Sequence, residues 1–398
     1  MFFKKKKKEE QKEDIIELTE LAGFTESGEI SHAVEELVVE ETIHEIPDTE
    51  EPPPPSIDDV LSRLEEAYPK EKDGEETEDN AERGEESTED KEEEQGFALL
   101  DGKEAIYILG DNALAVYLAI RFINSGEKVI LIPNKETAST FSNNGVTLVE
   151  NHNLQKSHHK FDTTFWLKET PKMLIITSEA SKINAAITSI SRKKVEDVPV
   201  VLLTPVRDIQ YIKNILGNDI YRAFFDGYLL QRPTQINLYG RAPSITICAK
   251  GNEKRNNTVK DYFEKAGFGI KTEKDEIKAF WEYFTVYTAC SLISAAYNKN
   301  IFDVIKDKDK RDKMIPLISE ICLIAKNDGA KIDQEEILKK IYNTPLSYPY
   351  PLQVAVAQGK AGDIDMIGSN LISAARKYKI TMPETSILLK KIYNIIMA

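Results

Sequence analysis

The stretch Ala105-Ile-Tyr-Ile-Leu-Gly110-Asp-Asn-Ala-Leu-Ala115, followed by Lys128-Val-Ile-Leu-Ile132, decides the fold of this chain. The apolar run 106–109 has the composition of a buried parallel strand, and Gly110 permits a sharp turn after it. Apolar residues then recur at helical spacing over 114–122. A strand, a turn, a helix and a second strand within about 30 residues form the unit that seats a dinucleotide.

The glycine pattern in this unit is incomplete. A full Gly-x-Gly-x-x-Gly fingerprint has glycine at its second and third marked places, where this chain has Asn112 and Ala115. Alanine is an accepted variant at the third place, but Asn112 adds a side chain where a pyrophosphate would approach. The segment is therefore either a dinucleotide site or only a structural βαβ unit. The candidate cofactor-binding residues are Gly110, Asp111, Asn112, Ala113, Leu114 and Ala115.

Charge divides the chain into two parts. Residues 1–96 carry 34 acidic and 11 basic side chains, whereas the rest of the chain carries 33 acidic and 41 basic ones. The acidic part has few aromatic residues and includes the run Pro52–Pro55, so it is predicted to be a disordered tail. Within it, apolar residues line one face of a short helix predicted over 57–68. This segment is either a docking helix for a protein partner or a transient turn.

The remainder is predicted to form two domains. Residues 97–270 read as a Rossmann-like doubly wound sheet with mixed closing strands, and residues 271–398 read as an all-α domain. The strands are predicted at 106–109, 128–132, 147–149 (an edge strand), 172–177, 198–203, 222–229 and 244–249. The helices are predicted at 181–191, 208–216, 276–297, 316–327, 334–342, 363–378 and 385–396. This order predicts a ligand site in the cleft between the domains.

Several function classes are disfavoured. The three cysteines, Cys248, Cys290 and Cys322, are widely spaced in apolar surroundings, which favours reduced thiols in a cytoplasmic protein over a disulfide framework or a zinc site. No run approaches the ~20 apolar residues of a membrane span. The basic clusters lack interleaved aromatic residues, so no nucleic-acid role is predicted. The histidines near residue 158 lie in a polar loop, and no metal site is predicted.

The C-terminal half carries a more specific signal. Its segments Gly362-Asp-Ile-Asp365-Met-Ile-Gly368 and Ala375-Arg-Lys-Tyr-Lys-Ile-Thr-Met-Pro383 form a helix-loop-helix pattern. Further marked segments are the tryptophan-bearing stretch 276–284, the helix 319–330 and, in the first half, the loop 143–148. In these segments the chain resembles the ketopantoate reductase family, in which an NADPH-binding Rossmann half precedes a helical half of the 6-phosphogluconate dehydrogenase type. The resemblance covers nearly all of residues 104–396.

The resemblance also implies a site, and this chain departs from it. The family's proton-donating lysine falls at Tyr283, and its two substrate-binding asparagines fall at Tyr287 and Ser291. The family's substrate-binding acid is retained as Asp363. A spacing of four keeps the two tyrosines and the serine near one helix face. For the cofactor, the implied residues are Asn134 or Lys135 at the 2′-phosphate of NADPH, and Thr177 and Ser178 facing the nucleotide.

Two functions remain open from the sequence. The first is NADPH-dependent reduction of a 2-keto acid, with Tyr283 donating the proton and Asp363 binding the substrate hydroxyl. The second is a catalytically silent relative that acts as a binding or interaction protein through its cleft and its acidic tail. Because the pKa of a free tyrosine is about 10, it needs a neighbouring cation to replace a lysine well. The expected partners are a small 2-keto acid, a protein bound by the tail, and a second copy in a homodimer.

Overall fold

The computed structural model describes residues 105–179, 182–188, 190, 195–196, 198–217, 220–248, 253–345 and 347–397. The predicted acidic tail 1–96 and its helix 57–68 lie outside this range. In the described range, no helix is both long and apolar enough to cross a bilayer. Cys248 and Cys290 are buried free thiols, and Cys322 is a half-buried free thiol.

The strands of the first domain are β1 Ala105–Leu109, β2 Lys128–Ile132, β3 Val146–Glu150, β4 Gln155–His159, β5 Asp162–Thr163, β6 Met173–Ile176, β7 Val200–Leu202, β8 Ile220–Arg232, β9 Gln235–Cys248 and β10 Gly269–Glu273. They form a ten-stranded mixed sheet with the order β4-β3-β9-β8-β7-β6-β1-β2-β5, and β10 pairs with β9. The helices are α1 Ala113–Asn124, α2 Lys135–Ser139, α3 Ile183–Thr188, α4 Gln210–Leu216 and α5 Glu253–Lys265. Thus a Rossmann-like half precedes a helical half, as predicted.

The central strands are parallel because helices connect them. β1 pairs in parallel with β2 and β6, and the parallel order continues through β7 to β8. α1 is apolar on nearly all faces, and Val116, Tyr117, Leu118 and Ile120 are fully buried under the sheet. A helix that is apolar on all faces must be covered on every side, and for this reason the first βαβ unit can be recognised from its apolar sequence.

The hairpin β8–β9 is longer than predicted. Its strands have 13 and 14 residues, pair antiparallel, and shift register between Asp226 and Tyr228. Gly227 lies at this irregularity, and a Cβ there would come within 2.4 Å of Phe225 Cζ. The bend therefore requires glycine. Beyond it Leu229, Ile236 and Leu238 still pack in the core of the first domain. The hairpin also borders the helical domain there, because Tyr348 Oη donates to the carbonyl of Leu229 over 3.2 Å.

The second domain surrounds a buried 22-residue helix, α6 Glu276–Tyr297. Asp275 caps it by accepting the N–H groups of Ile277 and Lys278, each over 3.0 Å. The other helices are α7 Ile301–Lys306, α8 Lys308–Asn327, α9 Gln334–Tyr342, α10 Pro351–Val356, α11 Ile364–Ile367, α12 Ser373–Tyr378 and α13 Pro383–Ile396. α6 also meets the first domain, because Phe280 packs on Phe224 of β8 with ring centroids 6.3 Å apart.

Three details of the sequence interpretation were wrong. β3 is not an edge strand, because the polar strand β4 pairs outside it. The helix predicted over 363–378 is interrupted by a π-helical turn at Gly368–Ile372. The helix predicted from 316 begins at Lys308, where Asp307 caps it, and Pro316 lies inside it.

Candidate functional site

A cleft of about 1630 Å³ separates the two domains. It begins at the turn after β1 and ends at α6 and the start of α11. Eight of the sequence-predicted residues line it and are therefore brought together: Asn112, Ala113, Leu114, Thr177, Ser178, Tyr283, Tyr287 and Asp363. The volume exceeds the roughly 300–1,000 Å³ of common ligand pockets. The cleft is therefore large enough for a sizeable organic ligand.

Gly110 makes the turn at the nucleotide end of the cleft. Its φ is +144°, a backbone conformation that favours glycine. A Cβ at this position would lie 2.3 Å from Thr177 Oγ1. The N–H of Gly110 donates to the carbonyl of Ile132 over 3.1 Å, which ties the turn to the end of β2. The turn predicted from the sequence is thus present.

Asn112 occupies the start of α1. Its Oδ1 accepts the N–H of Ala115 over 2.9 Å, so the side chain caps the helix. Its Nδ2 donates to the carbonyl of Thr177 at the end of β6. Both polar atoms of the amide are therefore used, and the side chain bridges the two elements between which a pyrophosphate would be placed.

The surroundings of the turn are also unfavourable for a phosphate. Gln231 Nε2 of β8 donates to the carbonyl of Asp111 over 3.3 Å, and the carboxylate of Asp111 accepts from Thr137 Oγ1 over 3.3 Å. A carboxylate beside the turn repels an anionic ligand. A dinucleotide bound through its pyrophosphate does not fit this turn as it is folded, because Asn112 fills the seat and Asp111 adds negative charge.

The other predicted cofactor residues have local structural roles. Asn134 caps α2 by accepting the N–H of Thr137 over 2.8 Å, and neither it nor Lys135 lines the cleft. The hydroxyls of Thr177 and Ser178 are buried, and each donates to the carbonyl of Leu109 over 3.4 Å.

Tyr283, Tyr287 and Asp363 meet at the helical end of the cleft. The two tyrosine rings are nearly parallel, with 11° between their planes and 6.2 Å between centroids. Tyr287 Oη donates a short hydrogen bond to Asp363 Oδ2. Tyr283 also packs against Phe224 of β8, with centroids 5.5 Å apart. These groups are thus bonded and packed among themselves.

The electrostatics of this end are anionic. Burial raises the pKa of Tyr283, and the negative charges of Asp363 and Asp226 raise it further. Burial also raises the pKa of Asp363, although the hydrogen bond from Tyr287 opposes the rise. The named charges around Tyr283 therefore hold its proton more firmly, which is the reverse of what a nearby cation would do.

Ser291 does not reach the cleft. It is fully buried in α6, and its hydroxyl has no hydrogen-bond partner among the described residues. Each step of four residues turns about 40° around a helix, so Ser291 is rotated by roughly 80° from Tyr283. The side chain therefore faces the helical core.

Two polar anchors between the domains were missed by the sequence interpretation. In the Asp328 anchor, the carboxylate of Asp328 accepts from Arg207 Nη1 over 3.1 Å, Trp281 Nε1 over 3.0 Å and Tyr378 Oη over 2.6 Å. Arg207 belongs to the first domain and the other residues to the second. Burial alone would raise the pKa of Asp328, but these hydrogen bonds and the charge of Arg207 lower it.

The Asn370 anchor binds the same loop, at Pro205 and Arg207. Asn370 Nδ2 donates to the carbonyl of Pro205 over 2.9 Å, and its Oδ1 accepts the N–H of Arg207 over 2.8 Å. The partners are far apart in the chain, so no local pattern predicts the contact. The signal in the sequence was the proline in this loop, which marks a fixed backbone.

Comparisons with known proteins agree with this architecture. Residues 276–395 match the protein-family model described as the C-terminal domain of ketopantoate reductase PanE/ApbA. A search of curated proteins finds no match to the chain. The part of the chain that the structure describes contains no group of three or more histidine, cysteine, aspartate or glutamate side chains that could hold a metal ion.

Solved structures share the fold at low identity. A D-mandelate dehydrogenase, in its ternary structure with NADH and anilino(oxo)acetate, has a TM-score of 0.66 at 15% identity and covers 74% of this chain and 98% of its own. A PanE/ApbA family ketopantoate reductase from Ralstonia eutropha JMP134 gives 0.63 at 16%, covering 74% and 98%. A dimeric ketopantoate reductase from Staphylococcus aureus gives 0.61 at 13%, covering 74% and 99%.

The chain shares with these proteins a fold in which a Rossmann-like half and a helical half face each other across a cleft. The resemblance to the ketopantoate reductase family is confirmed, in the helical domain by the family model and over both domains by the fold.

Proposed function

We propose that this chain is a ligand-binding relative of the ketopantoate reductases that does not transfer hydride. It binds a small organic molecule in the cleft between its domains. The observation that carries this proposal is the arrangement of Tyr283, Tyr287 and Asp363, in which the candidate proton donor is surrounded by aromatic rings and carboxylates.

Reduction of a ketone requires a proton donor for the developing alkoxide, and a suitable acid contributes about 10²- to 10⁴-fold in rate. Tyr283 is a poor candidate, because burial and the carboxylates of Asp363 and Asp226 raise its pKa. The group that would bind the substrate hydroxyl, Asp363, already accepts a hydrogen bond from Tyr287. The nucleotide turn supports the same conclusion, because Asn112 uses its amide to join α1 to β6.

A second candidate is NADPH-dependent reduction of a 2-keto acid of the 2-dehydropantoate type. One observation favours it: the cleft runs without interruption from Ala113 and Leu114 at the start of α1 to Tyr283 and Asp363. NADPH would supply the hydride. The resemblance assigns the 2′-phosphate to Asn134 or Lys135, and neither of them lines the cleft.

Titration of the full chain with NADH and NADPH separates the two candidates. We expect no saturation below millimolar nucleotide for the natural chain, by nucleotide fluorescence and by thermal shift. Asn112→Gly should bind at least about tenfold more tightly, because it frees the start of α1. The matched control is Asn300→Gly, since Asn300 also caps a helix but lies at the start of α7, outside the cleft lining.

Micromolar NADPH binding by the natural chain, together with NADPH oxidation in the presence of a 2-keto acid, would contradict the proposal. Loss of that oxidation in Tyr283→Phe would then assign the proton donor. Equal nucleotide affinity in the natural chain and in Asn112→Gly would show that the Asn112 bridge is not what limits binding.

The proposal extends to location and assembly. We place the protein in the cytoplasm and expect a homodimer, supported by the dimeric ketopantoate reductase from Staphylococcus aureus that shares the fold. A protein partner for segment 57–68 remains a prediction from the sequence. Light scattering of the full chain tests the dimer, and co-purification with and without residues 56–69 tests the partner.

A further inference from the structure

We propose that the helical end of the cleft is selective for an organic ammonium ion on a small apolar body, the opposite charge to a 2-keto acid. This inference rests on the proposed function, in which the cleft binds a ligand without reducing it. Three features carry it: an aromatic wall, a carboxylate with an unused oxygen, and the position of the basic side chains at the rim.

The wall is built from phenol and phenyl rings. Tyr283 lies between Phe224 and Tyr287, and the ring of Tyr350 meets Tyr287 at 66° with centroids 6.4 Å apart. Tyr348 extends the cluster, 4.9 Å from Tyr350. Ring faces carry a negative quadrupole and attract ammonium groups. A ligand carboxylate, in contrast, could bind these rings only through phenol hydroxyls that are not already hydrogen-bonded.

Asp363 supplies the charge. Its Oδ2 accepts from Tyr287, whereas its Oδ1 has no hydrogen bond to any residue that the structure describes. The residue lines the cleft, and a donor on a ligand would bond this oxygen. Glu179 lies close enough to raise the pKa of Asp363 further, which places a second carboxylate near the same end. An ammonium ion would donate a hydrogen bond to Asp363 and offset the repulsion between the carboxylates of Asp363 and Glu179.

The basic side chains of the lining do not offer a counter-charge to an anionic ligand at this end. Lys271 lies 3.6 Å from Asp226, and Lys340 lies 2.9 Å from Glu282, so both are paired. The remaining two, Arg232 and Lys360, are exposed. A ligand carboxylate placed beside Asp363 would meet like charge without a compensating cation in the described lining.

The binding preference can be measured with three probes that share one aromatic body. Isothermal titration of the full chain uses phenethylammonium, its uncharged analogue 2-phenylethanol, and the anion phenylpyruvate. We expect the ammonium to bind at least about tenfold more tightly than the alcohol, and phenylpyruvate to bind most weakly. Asp363→Asn retains the shape and an acceptor for Tyr287, and it should reduce the preference to less than about twofold.

A control variant outside the cleft separates charge from structure. Asp312→Asn removes a carboxylate on the exposed part of α8 and should leave all three affinities unchanged. Thermal unfolding of each variant checks that it is folded.

The inference is overturned if the ammonium fails to bind, if it binds no better than the alcohol, if phenylpyruvate binds best, or if Asp363→Asn keeps the preference. These outcomes differ from failure of the proposed function, which would appear as NAD(P)H oxidation with phenylpyruvate. If the chain shows no ammonium preference and also binds no nucleotide, the proposed ligand class is rejected, whereas the proposal that the chain does not transfer hydride stands.

Discussion

The two anchors and the helical end of the cleft are both polar regions where the domains meet, but they differ in how their groups are satisfied. In the Asp328 anchor, both carboxylate oxygens accept hydrogen bonds, and these come from both domains. At the cleft end, Asp363 lines the cleft and accepts one hydrogen bond among the described residues, from Tyr287 of the same domain.

This difference separates a structural contact from an open space. The two anchors bond the loop around Arg207 to the helical domain. At the helical end of the cleft, Tyr283, Tyr287 and Asp363 all come from one domain, and the nearby carboxylates raise the pKa of Tyr283. The cleft itself remains open between the domains.

The largest effect is expected from breaking the Asp328 anchor. Asp328→Ala leaves Arg207, the Trp281 N–H and the Tyr378 hydroxyl without their acceptor in a half-buried site, which should cost about 4 kcal/mol of unfolding free energy. Urea unfolding followed by tryptophan fluorescence measures this cost. Asp312→Ala, on an exposed part of the same helix, serves as the control and should change stability by less than about 0.5 kcal/mol. Similar values for the two variants would contradict the anchor.

The Asp328 anchor also predicts that the unfolding free energy decreases at acid pH. Because the pKa of Asp328 is lower in the folded protein than its usual value, its contribution is complete above the unfolded pKa, about 4. The contribution is lost as the pH falls through the folded pKa. The difference in unfolding free energy between the natural chain and Asp328→Asn should therefore shrink below about pH 4.

The turn at Gly110 should give the next largest effect. Gly110→Ala places a Cβ 2.3 Å from Thr177 Oγ1 at a positive φ, and we expect a loss of about 3 kcal/mol. Gly217→Ala is the matched control, because Gly217 also has a positive φ of +102° but open space around it. A smaller loss in Gly217→Ala separates steric collision from backbone strain, and equal losses would remove the collision argument.

The Asn370 anchor should be weaker than the Asp328 anchor because it is neutral. Asn370→Ala leaves the carbonyl of Pro205 and the N–H of Arg207 unpaired, at an expected cost of about 2 kcal/mol by urea unfolding. Asn327→Ala is the control, since the Asn327 amide bonds a carbonyl of its own helix at the surface. An Asn370→Ala protein as stable as this control would show that the anchor contributes little.

The smallest effect compares two phenol–carboxylate bonds directly. Tyr378→Phe removes a donor to Asp328, and Tyr287→Phe removes a donor to Asp363. We expect a loss of about 1.5 kcal/mol for Tyr378→Phe and below about 0.5 kcal/mol for Tyr287→Phe, because water in the cleft can replace the lost phenol. Thermal unfolding of both variants under one condition checks the order. The reverse order would contradict the distinction between the two regions.

The fold could be predicted where elements are buried on every side. β1 and α1 have long apolar runs, and the spacing of four placed Tyr283 and Tyr287 on one face of α6. The polar strand β4 and the helix α5 were missed because few of their side chains are buried. The length of the β8–β9 hairpin was missed because its two-residue turn, Pro233-Thr234, lacks the glycine or asparagine that usually marks such a turn.

The site was predictable only in part. The family resemblance assigned Asp363, Tyr283, Tyr287 and Ser291 to the site, and all but Ser291 line the cleft. The spacing of four predicted only that the helical residues share a face. The bridge from Asn112 to Thr177 and the anchor from Asp328 to Arg207 join residues 65 and 121 positions apart. Such contacts depend on tertiary packing, and a single sequence contains no local pattern that reports them.

The long hairpin β8–β9 has a mechanical consequence. One end of β8 pairs with β7 in the Rossmann core, and beyond the bend at Gly227 the hairpin is fastened to the helical half by the hydrogen bond from Tyr348 to Leu229. Because this antiparallel ribbon spans both halves, any rotation of one half against the other must break or rearrange the bond between Tyr348 and Leu229. A flexible linker would impose no such coupling.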